Sequence, residues 1–155
     1  MLKFRGVKEV ADIFAGWLYN SLLEELAELA QYREQGGKII IVSVPLSKKR
    51  FHQRGYNQSE EIARRLAELE PKIFRLETGN LIKTRETPSQ VSCGSRAKRL
   101  ENLKGAFRVK NNRIFRGRTV LLIDDVTTTG ATLAEASHAF GRARPRRIIK
   151  IAVAG

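Results

Sequence analysis

The sequence predicts an α/β fold built on a mostly parallel sheet, and three observations carry that expectation. The runs "KIIIVSVP" and "TVLLIDD" are short and apolar without alternation, the pattern of strands buried on both faces of a sheet. The segments "VADIFAGWLYNSLLEELAELAQYREQGG" and "QSEEIARRLAELE" repeat apolar residues every three or four positions, as amphipathic helices do. Strands and helices then alternate along the chain, which implies right-handed crossovers and helices on both faces. A length of 155 residues suits one domain over residues 1–155 and is enough to bury a core.

The elements follow in order. Val10, Phe14, Trp17, Leu18, Leu22, Leu26 and Leu29 define the apolar face of a long first helix, with Gly36 and Gly37 as its stop. Phe14 and Trp17 are expected in the core. "KIIIVSVP" is the first strand. A second helix starts near Gln58: Asn57 and Glu60 have capping-box spacing, with Ser59 as a rival cap. "KIFRL" is a weak strand. Residues 78–104 lack clear periodicity and hold Pro88, Gly79, Gly94 and many basic residues, so they read as a long loop or mobile ribbon, a form usually tied to function or disorder. "GAFRV" and "TVLLIDD" are strands, "GATLAEASHAFGRA" is a helix, and "RRIIKIAVA" closes the sheet.

Composition narrows the chemistry. Lys and Arg total 29 against 16 Asp and Glu, a formal net charge of +13, which predicts anionic partners: phosphorylated metabolites, nucleic acid or an acidic surface. The single cysteine, Cys93, forms no internal disulfide and no cysteine-based zinc site within this chain, and suits a reducing, cytoplasmic setting. No apolar run reaches the length of a membrane span, so no membrane insertion is expected.

The most informative stretch is "TVLLIDDVTTTGAT", residues 119–132. On an open parallel sheet, ligands bind beyond the carboxyl ends of the strands, where Asp124 and Asp125 fall. The turn after them enters a helix near Ala131, whose first N–H groups favour an anion. Gly130 lets the backbone approach a ligand, and Thr128, Thr129 and Thr132 add hydroxyl donors. Ionised aspartates are pure acceptors. They repel phosphate but suit vicinal hydroxyls a few ångströms away. A phosphate with two free hydroxyls beside it describes a ribose 5-phosphate. A hydrated strand end or a receiver-type metal site is the plainer alternative, and the T-T-G-A-T tail argues against both. Neither a P-loop nor a dinucleotide fingerprint is present.

"VLLIDDVTTTGAT" resembles the phosphoribosyl-diphosphate-binding motif of type I phosphoribosyltransferases. "KFRGVKEVA", "VPLSKKRFHQRGYNQSEEIARRLA", "TRETPSQ" and "RAKRLENLKGAFRV" are similar, in the same order, to the ComF-like (competence protein F) branch of that superfamily. The resemblance implies the type I phosphoribosyltransferase fold, a central parallel sheet with a flexible loop over the site. It implies that Asp124 and Asp125 hold the ribose 2- and 3-hydroxyls. Val126, Thr127, Thr128, Thr129, Gly130, Ala131 and Thr132 would surround the 5-phosphate, and the loop after the first strand, Pro45, Leu46, Ser47, Lys48, Lys49 and Arg50, would take the diphosphate. Arg85 would lie on the mobile loop and join the two acids in catalysis. Mg²⁺ would enter chiefly on the substrate diphosphate, with no dedicated protein metal site. The branch also implies a role in natural transformation, with single-stranded DNA and DNA-uptake proteins as partners, and homodimers are common in the superfamily. ComF-like proteins often begin with a four-cysteine zinc module, and this sequence starts just after where that module would end. No element that selects an acceptor base stands out. A transferase, a non-catalytic single-stranded-DNA-binding accessory protein and a sensor of phosphoribosyl diphosphate therefore all stay open at this stage.

Overall fold

The structure, a computed structural model, describes residues 2–87, 96–126 and 130–154. Helix α1 (Leu2–Gly36) leads into strand β1 (Ile39–Ser43), short helix α2 (Lys48–Arg54), helix α3 (Gln58–Leu69), β2 (Phe74–Leu76) and β3 (Leu81–Lys83). Helix α4 (Arg96–Leu103), β4 (Phe107–Val109), β5 (Thr119–Val126), α5 (Ala131–His138) and β6 (Arg147–Ala154) complete the chain. The central sheet has four strands in the order β2-β1-β5-β6. Every pair in it is parallel, with Val42 opposite Leu122 and Asp124 opposite Ala152. The alternating pattern of strands and helices thus gave the sheet its expected character.

Strand pleating divides the core into two layers, because successive side chains point to opposite faces. Ile40, Val42, Val120 and Leu122 face one layer, with Phe115, Phe140, Leu133 and the β3–β4 hairpin. Ile39, Ile41, Leu121 and Ile123 face the other, where α1 and α3 supply Ala11, Ala15, Leu18, Leu22, Ile62 and Leu66. Phe115 and Phe140 meet edge to face with ring centroids 5.0 Å apart, a geometry that adds roughly 0.5–1.5 kcal/mol to the burial itself. Asn57 caps α3 as expected: its side-chain oxygen accepts from the Ser59 amide at 3.2 Å. Its Nδ2 also donates to the Val44 carbonyl at 3.1 Å, so one buried side chain ties the end of β1 to the start of α3.

Two expectations need correction. Trp17 is 55% exposed and Val10 39% exposed, although both lie on the apolar stripe of α1. The helix packs through Ala11, Ala15, Leu18 and Leu22 instead. The two alanines let α1 approach its neighbours closely, and Arg65 on α3 reaches across to Asp12 at 3.1 Å. Trp17 lies at the margin of that contact, and Phe14 is only partly buried. The side chains of Leu26 and Leu29 lie outside the described residues.

The second correction concerns residues 78–104, read from the sequence as one long loop. Leu81–Lys83 pairs antiparallel with Phe107–Val109, and Arg96–Leu103 is helical. Three paired residues are too few to show a period, and the small hairpin is fixed by contacts distant in sequence. Asn80 donates to Glu77 and accepts from the Asn111 amide. Thr84 donates toward the carbonyls of Gly105 and Ala106. Residues 88–95, including Cys93, lie outside the described residues.

Candidate functional site

Both acids of the motif sit at the carboxyl end of β5. The alternation that sends Leu122 and Ile123 to opposite layers continues into Asp124 and Asp125, so the pleat divides the pair. Asp124 is buried, with 7% of its surface exposed, and its Oδ1 accepts from the Asp125 amide at 3.0 Å. Burial, and then the neighbouring Asp125 charge, push the Asp124 carboxyl up from an ordinary 3.8 to about 7; Arg50 pulls the other way. Asp125 instead meets Arg54, whose Nη1 lies 3.2 Å from Oδ2. The two carboxylates therefore play different parts. One is recessed and titrates near neutrality, and the other is paired with a cation at the edge.

Val126 ends β5, opposite Ala154. Thr127, Thr128 and Thr129 lie outside the described residues. Gly130 has φ of 68° and leads into α5, with Ala131 and Thr132 in its first turn. That left-handed backbone is strained for side chains other than glycine, which accounts for the residue type at the sharp entry to the helix. Glu135 on α5 accepts from the Gly105 amide at 2.6 Å, tying this helix to the hairpin that carries Lys83.

The segment expected to take a diphosphate is a turn followed by a helix. Pro45, Leu46 and Ser47 form the turn after β1, and Lys48, Lys49 and Arg50 open α2. The sequence reading placed all six in a loop. The Ser47 side chain supports the helix start by accepting from the Arg50 amide at 3.3 Å, and Gly55 (φ 79°) ends the helix at Arg54. The basic cluster is therefore carried on a helical turn beside the β5 acids, and the register that sets Ser43 opposite Ile123 brings the two together. Below the turn a cavity of ≈ 560 Å³ is lined by Pro45, Leu46, Lys48, Lys83, Thr84 and Arg108, among others.

Arg85 follows β3, and its guanidinium donates to the Lys104 carbonyl at 2.7 Å. It is thus held on the hairpin side rather than on either carboxylate. Arg54, which the sequence groups with the basic cluster of Lys48, Lys49 and Arg50, and two residues that the sequence reading passed over, Lys83 and Glu86, converge on the site instead. Arg54 pairs with Asp125 across a separation of 71 residues. Lys83 donates to Thr87 at 2.8 Å and lies over the Phe107 ring, 5.7 Å from its centroid. Its half-buried ammonium is pulled down by burial, then by Arg50, while Glu86 and Asp124 oppose the shift. Glu86 sits against the start of α2, with its Oε1 3.4 Å from the Lys49 amide. A hydrogen bond from Ser47 is the main cause that holds its carboxyl below the usual range. One signal for Glu86 was available: it is the only acid between Glu77 and Glu101 in a strongly basic stretch.

Among the described residues, no group of three His, Cys, Asp or Glu side chains gathers as a metal site. No described helix is long and apolar enough to cross a membrane. His52 bonds the Lys48 carbonyl within α2, and His138 lies exposed beside Glu135.

Comparison with known proteins places this geometry. A family model for the phosphoribosyl transferase domain matches residues 52–154. DNA utilization protein YhgH of Escherichia coli K12 is 38% identical over 137 residues, covering 86% of this chain and 55% of that protein. Competence protein ComFC of Bacillus subtilis is 30% identical over 132 residues, covering 84% of this chain and 47% of that protein. The chain thus spans about half the length of these curated relatives. A solved hypoxanthine phosphoribosyl transferase of Trypanosoma cruzi overlays with a TM-score of 0.47 at 12% identity, over 94% of this chain and 63% of that one. The parallel sheet flanked by helices, the match to the family model and the similarity to these relatives together mean that the chain belongs to the phosphoribosyl transferase domain family, with the type I fold and in its ComF-like branch.

Proposed function

We propose that this protein binds phosphoribosyl diphosphate at the carboxyl ends of β1 and β5. The observation that supports the reading best is the divided acid pair beside the basic helical turn. Asp124 and Asp125 would accept the ribose 2- and 3-hydroxyls, since carboxylates are acceptors for both. The turn at residues 126–132 would hold the 5-phosphate, and residues 45–50 the diphosphate. Mg²⁺, when bound with the ligand, would neutralise charge on the departing diphosphate.

The reaction that such a site serves is transfer of the ribosyl group. Lys48, Lys49 and Arg50 stabilise the leaving group, and the nearby acids favour positive charge growing on the ribose. Arg85 contributes once its guanidinium leaves the Lys104 carbonyl. The Arg54–Asp125 pair holds one acceptor oxygen in place, and the neutral form of Asp124 gives up its proton as hydroxyls and cations enter. The acceptor is unassigned, and binding without transfer is the regulatory form of the same reading.

Calorimetry with phosphoribosyl diphosphate and Mg²⁺ tests the site. Wild type binds, and the double variant Asp124→Ala/Asp125→Ala loses most of the affinity. Equal binding by both proteins, or binding by neither, removes the assignment.

A second reading rests on the net charge of +13 and on the printed names of the relatives, a DNA utilization protein and a competence protein. In that reading the basic outer surface handles single-stranded DNA during uptake, alone or with DNA-uptake proteins, as a monomer or homodimer in the cytoplasm. Phosphate contacts of that kind weaken steeply with salt. A salt-titrated binding assay that detects no complex near 50 mM salt would exclude it.

A further inference from the structure

Glu86 is out of place by charge. It is the one acid in the stretch from residue 78 to residue 100, which also carries Lys83, Arg85, Arg96, Lys98 and Arg99. Its exposed side chain leans on the start of α2. Its Oε1 accepts from the Lys49 amide at 3.4 Å, and the Ser47 hydroxyl and the charges of Lys83 and Lys49 favour its ionised form there. Ser47 and Lys49 belong to the segment proposed to take a diphosphate. An anion of the chain itself thus already stands at the Lys49 amide, in the segment where an incoming anion would bind.

From this we infer that Glu86 is a specificity-determining residue: an internal carboxylate seated at the diphosphate position, which only a strongly charged anion displaces. The inference rests on the reading of residues 45–50 as the diphosphate segment. Glu86 brings one charge and two acceptor oxygens. A single phosphate brings more charge and more oxygens than a carboxylate, but it spans only one donor cluster and must also overcome repulsion from the displaced carboxylate nearby. A diphosphate carries more charge and reaches further, so it engages the Ser47 hydroxyl and Lys49 amide together with the ammonium groups of Lys48, Lys49 and Lys83. Displacement has a second consequence. Glu86 and Arg85 are adjacent, so the exchange also loosens the short segment that holds Arg85 on the Lys104 carbonyl. Discrimination between one and two phosphates is then coupled to release of the proposed mobile-loop arginine.

The test compares wild type with Glu86→Gln, using inorganic pyrophosphate and orthophosphate as calorimetric probes. Amide exchange at Lys49 is followed by NMR with no anion present. Glu86 is exposed and the substitution keeps its shape, so both proteins fold. The expected result is a wild type that prefers pyrophosphate, and a variant that binds orthophosphate about tenfold tighter through loss of the like charge. The preference for pyrophosphate narrows accordingly, and the Lys49 amide exchanges faster in the variant. An unchanged preference, unchanged Lys49 exchange, or no binding of either anion to either protein overturns the inference. Failure of the ribose reading is a different result: wild type then binds phosphoribosyl diphosphate no more tightly than pyrophosphate.

Discussion

Asp124→Asn should make the ligand-free protein more stable, and increasingly so as pH rises. Asp124 is buried beside a second carboxylate, and its proton is held to about 7 against an ordinary 3.8. For a carboxyl shifted upward, the folded state binds more protons than the unfolded state between those two values. Unfolding free energy therefore falls as pH rises through that window, and the full penalty stands above about 7. At 1.36 kcal/mol per pH unit, the separation amounts to on the order of 4 kcal/mol at pH 8, a ceiling that water entry and local relaxation reduce. Asparagine carries no titrating proton. Its Oδ1 still accepts from the Asp125 amide, so the local bond survives the exchange.

Urea melts of both proteins at pH 5 and pH 8, at one salt concentration, measure the effect. The difference between variant and wild type is the quantity to follow, because a strongly basic chain changes self-repulsion with pH in both proteins alike. The variant should gain about 1–4 kcal/mol at pH 8, equal to roughly 3–10 °C in Tm for a chain of this size. The gap should widen by about 2–3 kcal/mol from pH 5 to pH 8. A gap independent of pH, or a variant less stable at pH 8, would refute the account of Asp124 as a destabilised acid. The same substitution should weaken phosphoribosyl diphosphate, since an amide replaces one full acceptor. Stability gained with binding lost is the signature of a residue kept for its ligand.

Two further stability predictions use the same melts. Asn57→Ala should cost about 1–3 kcal/mol, because it removes the α3 cap and the donor to the buried Val44 carbonyl; a loss below about 0.5 kcal/mol would show that water replaces both contacts. Phe115→Ala should cost about 3–5 kcal/mol, whereas Trp17→Ser should cost less than about 1 kcal/mol, reversing the order expected from side-chain size alone. Equal losses at the two positions would mean that Trp17 is covered in solution.

The repeated elements were legible because they obey local rules. The unalternating runs of β1 and β5, the spacing of α3 and the Asn57 cap are each written within a few residues. Trp17 shows where that stops. Spacing along α1 marks every apolar residue on a broad stripe, but the choice of which part is covered belongs to the partner. Ala11 and Ala15 lie in the buried core against α3, and Arg65 reaches Asp12 beside them. The hairpin of Leu81–Lys83 with Phe107–Val109 was hidden for a related reason. Its three-residue strands carry no measurable period, and their pairing depends on residues 80 and 111 meeting across the intervening chain.

For the site, the motif pointed to two carboxylates and suggested a ligand class, but not the difference between the two acids. A strand places neighbours on opposite faces, so adjacency in sequence made the pair unequal in space. Asp124 was sent toward the core and Asp125 toward Arg54. That arginine is 71 positions away, and Glu86 is 37 positions from the amide it meets. Neither distance can be read from composition or spacing, because both are set by parallel crossovers that return the chain to the same end of the sheet. The crossovers gather Arg50, Arg54, Lys83 and Glu86 around the acids, and the gathering, rather than the motif alone, decides which groups are charged. A buried acid near neutrality, a paired acid at the rim and an internal carboxylate at the start of α2 offset only part of the positive charge that Lys48, Lys49, Arg50, Arg54 and Lys83 bring to the site. A ligand with hydroxyls at one end and phosphates at the other can replace each of those internal partners with its own.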